Sequence, residues 1–228
     1  NKDNPFFLYL THWDVHGPIR ARKEVVERYK EKLKALPAEK QKCFNPVYAG
    51  MIEAVDQSVG RVMKKVEELG LAENTLIVFT SDNGPWHLKL RHHGGSALPL
   101  RGAKFSTWEG GMRVPTIMRW PGKIPAGTVC SEVAAACDIL PTFAKLAKAE
   151  LPKRKIDGKN IWRLMSGKNG AKSPHKAYYF YKGNGLRAVR SGEWKLHIGG
   201  SNRKQQQQGK KPALTLYNLS KDIGETTD

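Results

Sequence analysis

Asp82 and Asn83 are the residues whose chemistry most suggests a metal site, because they follow an apolar run at 75–80 almost directly. They offer one anionic and one neutral oxygen, and such hard oxygens suit Ca²⁺ or Mg²⁺ better than zinc or copper. Calcium takes about six to eight ligands, so the others would come from other segments or from a substrate. The alternative is a polar turn, since Asp, Asn and Gly are common turn formers.

Lys104 is the second candidate for chemistry. It stands in the segment 98–115, after Gly102 and before the adjacent glycines 110 and 111. Glycines at these positions let the backbone pass close to another group. A lysine there would be a point charge for an anion such as sulfate or phosphate. A surface lysine in a basic chain is the alternative.

Two buried parallel strands are the elements expected to position these side chains. Residues 6–11 and 75–80 are continuous apolar runs, as expected for strands buried on both faces. Between them, residues 47–69 carry an apolar stripe at three- and four-residue steps, which predicts a helix that ends at Gly70. The order strand, helix, strand is typical of a parallel sheet. In such a sheet the strands end at the same edge, so the polar residues that follow them face one crevice. After the first strand these residues are His12, Asp14 and His16.

Two more elements complete the larger part of the chain. Residues 113–120 predict a strand near a sheet edge, since Pro115 has no backbone N–H for a ladder. Residues 138–149 predict a helix with Asp138 as its N-cap. Together with the strand–helix–strand unit, they indicate an α/β domain over 1–150, with a mostly parallel sheet flanked by helices.

Residues 151–228 are expected to form a small subdomain, an antiparallel four-stranded sheet. In its third strand Lys195 and His197 alternate with apolar residues, so they are expected on a solvated face. The basic, low-complexity segment 199–212 is expected to be a loop. The four expected strands are 177–181, 186–190, 194–198 and 214–219.

The chain is strongly basic, with 39 Lys and Arg against 21 Asp and Glu and a formal net charge of +18. Such an excess attracts polyanions, either nucleic acid or a sulfated or uronic polysaccharide. No zinc-finger spacing, RNP-like segment or basic heptad region is present, which argues against nucleic acid. No apolar run approaches the roughly 18 residues of a membrane-spanning helix, so no membrane span is predicted. Four basic residues of the small sheet could bind a sulfated glycan or lie on solvated faces: Lys182, Arg187, Arg190 and Lys195.

Taken in order, these segments resemble the type I sulfatases, the arylsulfatase-like branch of the alkaline phosphatase superfamily. The combination of segments is specific, whereas SDNG alone would be weak. The segments that carry the resemblance are FFLYLTHWDVHGP at 6–18, NTLIVFTSDNGP at 74–85, LRGAKFSTWEGGMRVPTIMRWPGKIPAG at 100–127, DILPTFAKLA at 138–147 and TLYNLSKDIGET at 215–226.

The resemblance implies roles for four residues. Asp82 and Asn83 would bind the divalent cation, usually Ca²⁺, and Asp82 would also help to deprotonate the nucleophile. Lys104 would bind the sulfate group and neutralise the bridging oxygen. His16 would bind sulfate or protonate the leaving alcohol.

The other histidines near these segments have weaker assignments. His87, and with it His92 and His93, is a candidate substrate contact because it lies near the site in sequence. His12 matches no functional position of the family, and a structural role in its loop is expected.

The nucleophile of the family is a formylglycine made from Cys or Ser in a C-x-P-x-R or S-x-P-x-R segment. Cys43, Cys130 and Cys137 are not followed by the Pro and Arg that this modification needs. The paired aspartates that complete the family's metal site also precede the segments present here. We therefore expect a C-terminal portion of an exported (periplasmic, secreted or lysosomal) sulfatase, without turnover and with weak calcium binding on its own.

Three functions remain as alternatives. The first is a sulfuric ester hydrolase that releases sulfate from sulfated sugars or aryl sulfates. The second is a phosphodiesterase or phosphonate hydrolase of the same superfamily, since sulfate and phosphate are near isosteres, although the Lys104 segment favours sulfate. The third is a non-catalytic module that binds acidic glycans through its charge. No oligomeric state is predicted.

Overall fold

The structure, a computed structural model, describes residues 3–41, 44–86, 94–199 and 213–228. The chain divides into two compact units, the first formed by Asn1–Thr75 and Pro85–Ser96 and the second by Leu76–Gly84 and Ala97–Asp228. The domain boundary expected at residue 150 stays a prediction. Within the described ranges, no helix combines the length and apolarity needed to cross a bilayer.

Helices build the first unit, and the longest of them is the helix predicted over 47–69. It begins after Asn45, whose side-chain oxygen accepts hydrogen bonds from the backbone N–H groups of Val47 and Tyr48 at 2.9 and 3.2 Å. Just beyond its end, Gly70 has a φ of +69°, which favours glycine. The prediction is confirmed. The helices of this unit are α1 (Lys23–Lys34), α2 (Ala38–Gln41) and α3 (Pro46–Glu68), and α1 packs against α3.

The segment 6–11 departs furthest from the structure that its sequence predicts. It does not form a strand, and its apolar side chains are exposed, with Phe7 at 76% and Tyr9 at 81%. A strand needs hydrogen bonds to a neighbouring strand, and none of the described strands pairs with this segment. The prediction of a buried strand here is therefore wrong, and the crevice expected from two paired strand ends loses its support.

A two-stranded sheet in the second unit contains both other strands predicted for the larger part of the chain. Its strands are β1 (Ile77–Phe79) and β2 (Ile117–Arg119), and they pair antiparallel with Val78 opposite Met118. The parallel pairing expected for β1 is not formed among the described residues. An apolar cluster that contains Leu76 and Met118 also includes Ile161, Leu164 and Met165.

Helix α5 (Ile139–Ala147) follows a buried aspartate, Asp138, which does not cap it as predicted. The Asp138 backbone is helical, so its carboxylate does not reach the first N–H groups of α5. It accepts hydrogen bonds from the backbone N–H groups of Ala135 and Lys159, each at 2.8 Å, and lies 2.8 Å from Nε2 of His175. Asp138 therefore joins three segments of the second unit. Two single-turn helices flank this region in the chain: α4 (Glu109–Met112) and α6 (Trp162–Met165).

The small C-terminal sheet is antiparallel with the strand order β3-β4-β5-β6, as predicted. Together with the helices and the β1–β2 pair it gives the expected α/β class with a C-terminal antiparallel sheet. The basic segment expected as a loop lies outside the described residues, apart from Gly199. The strands are β3 (Tyr178–Lys182), β4 (Gly185–Ser191), β5 (Trp194–Ile198) and β6 (Leu214–Asn218).

The two faces of this sheet are the reverse of the prediction. Lys195 is fully buried at 0% exposure and His197 is also buried, whereas Trp194 in the same strand is 48% exposed. The polar face is thus the inner face, because acidic side chains from elsewhere in the unit pair with it. The outer face instead exposes apolar residues of three strands: Tyr179, Trp194, Leu214 and Leu216.

Candidate functional site

The second unit contains three of the predicted site residues, and the first unit contains one. Asp82, Asn83 and Lys104 belong to the second unit, and His16 belongs to the first. His87 lies outside the described residues, as do His92 and His93.

The Asp82–Asn83 turn begins where β1 ends. Asp82 is exposed and Asn83 is half-buried, and the Asn83 side-chain amide donates to the carbonyl oxygen of Gly84 at 3.0 Å. The strand end is joined to the segment before β2 by a 3.0 Å hydrogen bond between the hydroxyls of Thr80 and Thr116. The turn therefore continues from a paired strand.

Two glycines, Gly110 and Gly111, form a backbone junction on which the Asp82–Asn83 turn rests. The N–H of Gly84 donates to the carbonyl of Gly111 at 2.9 Å. A Cβ at position 84 would lie 1.9 Å from the Gly110 carbonyl oxygen, so only glycine allows this approach. We call these two residues the Gly110–Gly111 junction.

The turn that carries Lys104 packs against the same junction. A Cβ at Gly111 would lie 2.4 Å from the carbonyl oxygen of Ser106 and 2.5 Å from that of Ala103. Ser106 closes this turn, because its N–H and its hydroxyl donate to the Ala103 carbonyl at 3.0 and 2.7 Å. The junction thus holds the oxygen-bearing turn on one side and the Lys104 turn on the other.

Phe105, next to Lys104, has an unusual conformation. Its φ is +72°, a region that L-residues other than Asn and Asp rarely adopt, and its ring is 68% exposed. The Lys104 ammonium lies 5.5 Å from the centroid of this ring. The turn therefore presents a cation and an aromatic ring side by side.

A buried ion network holds the helix α4 that follows this turn. The Glu109 carboxylate contacts Lys195 at 2.9 Å and Arg190 at 3.0 Å. Lys195 also contacts Glu225 at 3.1 Å, and His197 lies 2.7 Å from the same Glu225 oxygen. The second Glu225 oxygen accepts the backbone N–H of Glu109 at 2.7 Å. We call these five residues the Glu109 network.

The buried carboxylates of the network are stabilised by the cations and N–H groups that contact them. Burial raises the pKa of Glu225, but the His197 hydrogen bond, the Glu109 N–H and the Lys195 ammonium together outweigh burial and hold this pKa below its usual value. The Arg101 guanidinium lies 3.8 Å from the Trp108 ring, which in turn stacks on His197 at 3.9 Å. These contacts fix both ends of the segment that contains Lys104.

Sequence reasoning missed this network. Its residues are far apart in the chain, and Lys195 and His197 alternate with apolar residues as they would on a solvated face. The signal that could have found it is the pair of acidic residues in the family-like segments 100–127 and 215–226, namely Glu109 and Glu225. A carboxylate inside an apolar or glycine-rich segment needs a cationic partner when it is buried.

His16 is exposed in the first unit, and its Nδ1 lies 2.9 Å from the carbonyl oxygen of Gly17. A carbonyl can only accept, so Nδ1 carries the proton in this contact and Nε2 remains as the second ring nitrogen. The rings of Trp13 and Trp86 lie edge-on to it, with centroids at 5.7 and 6.3 Å. His12 instead bonds to Ser58 of α3 at 3.0 Å, which agrees with a structural role.

Asp82 and Asn83 fit part of a calcium site rather than a complete one. Their oxygens are of the hard type that calcium prefers, and they lie on a turn with a fixed backbone. Among the residues that the structure describes, no group of three or more His, Cys, Asp or Glu side chains could hold a metal ion. A full coordination shell therefore needs ligands beyond these two.

Comparison with known proteins places these features in a family. Human arylsulfatase A is 36% identical over a 241-residue alignment that covers 98% of this chain and 44% of that protein. Human steryl-sulfatase is 39% identical over 196 residues, which cover 83% of this chain and 31% of that protein. The crystal structure of Ps i-CgsB in complex with k-i-k-neocarrahexaose superposes with a TM-score of 0.79 at 33% identity, covering 100% of this chain and 46% of that one.

The chain spans less than half the length of these relatives. Two family models match it, the first described as Sulfatase over residues 1–149 and the second as N-sulphoglucosamine sulphohydrolase, C-terminal, over residues 103–225. The first model alone covers 149 of the 228 residues. On this match, and with the Asp-Asn and lysine turns described above, the chain belongs to the sulfatase family.

Proposed function

We propose that the protein to which this chain belongs hydrolyses sulfate esters of sulfated sugars or aryl alcohols, and that Asp82, Asn83, Lys104 and His16 act in this reaction. The observation that carries the proposal is the Gly110–Gly111 junction. It holds an oxygen-bearing turn suited to a divalent cation and a lysine turn suited to an anion on one backbone element. An anionic ester bound between a cation and an ammonium group is what this arrangement favours.

Lys104 provides the positive charge that the chain itself contributes. Its ammonium offsets the charge of the sulfate group and the charge that develops on the bridging oxygen as the ester bond breaks. Because its turn is closed by Ser106 and packed on the junction, the lysine backbone does not have to reorganise during the reaction.

Asp82 and Asn83 would hold a divalent cation, which we propose to be Ca²⁺. When bound, such an ion acts as a Lewis acid that polarises the sulfuryl oxygens and orients the ester. His16, when protonated on Nε2, would donate to the sulfate or to the leaving alcohol. We propose a formylglycine as the nucleophile, and this sequence contains no C-x-P-x-R or S-x-P-x-R segment from which it could form.

The proposal is tested in the full-length protein after formylglycine formation, with sulfate release from 4-nitrophenyl sulfate as the readout. Asp82→Ala and Lys104→Ala should each lower kcat/KM by about 10²–10³ or more with the fold retained, as seen when a charge-stabilising group is removed. Asp14→Ala and Lys123→Ala are the matched controls, and each should stay within a few-fold of the wild type.

Two results would contradict the proposal. One is a wild-type protein that turns over a phosphodiester or a phosphonate monoester but not a sulfate ester. The other is a Lys104→Ala variant that is as active as Lys123→Ala. Circular dichroism of each variant separates loss of a catalytic group from loss of the fold.

A further inference from the structure

A groove of about 400 Å³ opens beside the Lys104 turn, within the second unit. One wall is the loop that continues from Lys104, and the other is the hairpin of β3 and β4. The residues that line it are Phe105, Ser106, Thr107, Trp108, Lys182 and Arg187.

Among the described residues, the two basic residues in this groove have no acidic partners. Within the described ranges, no carboxylate forms an ion pair with Lys182 or Arg187, whereas Arg190 and Lys195 of the same sheet contact Glu109. Lys182 is exposed and Arg187 is half-buried. Two cations in one concave site, without a carboxylate partner among the described residues, create a local positive potential that favours an anion.

The loop wall adds an apolar surface to this potential. The Phe105 ring is largely exposed on a residue whose left-handed φ costs free energy, and such conformations cluster at ligand sites. An exposed aromatic ring is a flat apolar surface on which the C–H face of a sugar packs. The groove thus combines an aromatic platform with two cations, which suits an anionic sugar better than a small inorganic ion.

Its position relates the groove to the reaction. Lys104 and Phe105 are consecutive, and the Lys104 ammonium lies 5.5 Å from the Phe105 ring centroid. When the sulfate of one sugar contacts Lys104, the adjacent sugar of the oligosaccharide is therefore within reach of the groove.

We propose that this groove binds a second anionic group, a sulfate or a carboxylate, on the sugar adjacent to the one whose ester is hydrolysed. Lys182 and Arg187 contact the anion and Phe105 supports the sugar ring. The inference rests on the proposed sulfatase function, and it makes a multiply charged oligosaccharide the preferred substrate over a simple aryl sulfate.

The test compares three substrates of the full-length protein after formylglycine formation. These are 4-nitrophenyl sulfate, a disaccharide with a sulfate on each sugar, and a disaccharide with a sulfate on one sugar and a carboxylate on the other. In the double variant Lys182→Ala/Arg187→Ala, we expect kcat/KM for either disaccharide to fall about 10–100-fold, mainly through KM, because each charge-assisted contact contributes to binding. The aryl sulfate should be hydrolysed as before.

Control variants separate anion binding from folding. Lys176→Ala removes an exposed lysine just before the same sheet, and it should leave kcat/KM unchanged for all three substrates. The conservative pair Lys182→Arg/Arg187→Lys should restore most of the lost affinity. An equal loss on all three substrates, or an unchanged KM for both disaccharides, would overturn the proposal. A loss on one disaccharide alone supports it and identifies the anion.

A binding measurement keeps the groove testable if the protein proves not to hydrolyse sulfate esters. The fluorescently labelled disulfated disaccharide is titrated into the wild type and the double variant, and the dissociation constants are compared. Weaker binding by the variant supports the groove even without turnover. Equal binding rejects the groove, whether or not the proposed function holds.

Discussion

Two pairs of basic residues in one four-stranded sheet have opposite environments. Arg190 and Lys195 are enclosed in the Glu109 network, whereas Lys182 and Arg187 face an open groove without acidic partners among the described residues. All four are strand residues of the same charge class, and the sequence around them does not separate them. The difference teaches that the role of a basic strand residue depends on whether a distant segment supplies a carboxylate.

The largest expected effect comes from removing the buried cation. Lys195→Met should lower the free energy of unfolding by about 3–5 kcal/mol, because Glu109 and Glu225 would remain buried next to each other without the shared ammonium. Lys182→Met, the matched change in the groove, should stay within about 0.5 kcal/mol. Urea unfolding followed by tryptophan fluorescence measures both variants. Similar losses in the two variants would remove the distinction between the pairs.

A smaller effect should appear in acid, through Glu225. Its pKa is held below the usual value, so its contribution to stability is complete above the ordinary carboxyl pKa of about 4.5 and is lost as the pH falls through the lower, folded-state value. Glu225→Gln should therefore be less stable than the wild type at neutral pH but should lose less stability on acidification. Unfolding midpoints from pH 7 down to the acid limit test this prediction. Parallel pH profiles would show that the network does not set the acid stability.

The smallest effect concerns salt. The groove cations are accessible to solvent, and the Debye length is about 10 Å at 0.1 M ionic strength, so binding of an anionic disaccharide should weaken as salt rises. The stability supplied by the Glu109 network should change much less, since four of its five members are buried and Arg190 is half-buried. Titrations and unfolding curves at low and high NaCl give both quantities. The comparison would fail if stability and binding followed salt equally.

Features that depend on neighbouring residues could be predicted from the sequence. Helix α3 follows from its apolar stripe and from Gly70, and the four strands of the small sheet follow from short runs between turns. The residue types of Asp82, Asn83 and Lys104 and the family-like segments around them indicate that these residues are site candidates. Their roles remain proposals.

Features that depend on distant partners could not be predicted. The segment 6–11 is apolar enough for a strand, but a strand also needs a neighbour. The burial of Lys195 depends on Glu109, 86 residues earlier in the chain. The Gly110–Gly111 junction depends on the approach of Gly84, which no local pattern reveals.

The Glu109 network also has a consequence for the order of synthesis. Glu109 needs Lys195, and its N–H needs Glu225, which follows it by 116 residues. At about 5–20 residues per second, roughly 6–23 s pass between the synthesis of Glu109 and that of Glu225. For the first 86 residues of this interval, Glu109 on a growing chain has a solvated carboxylate, because Lys195 has not yet been made. The loop can reach its final packing only after β6 and Glu225 have been synthesised and have left the ribosome.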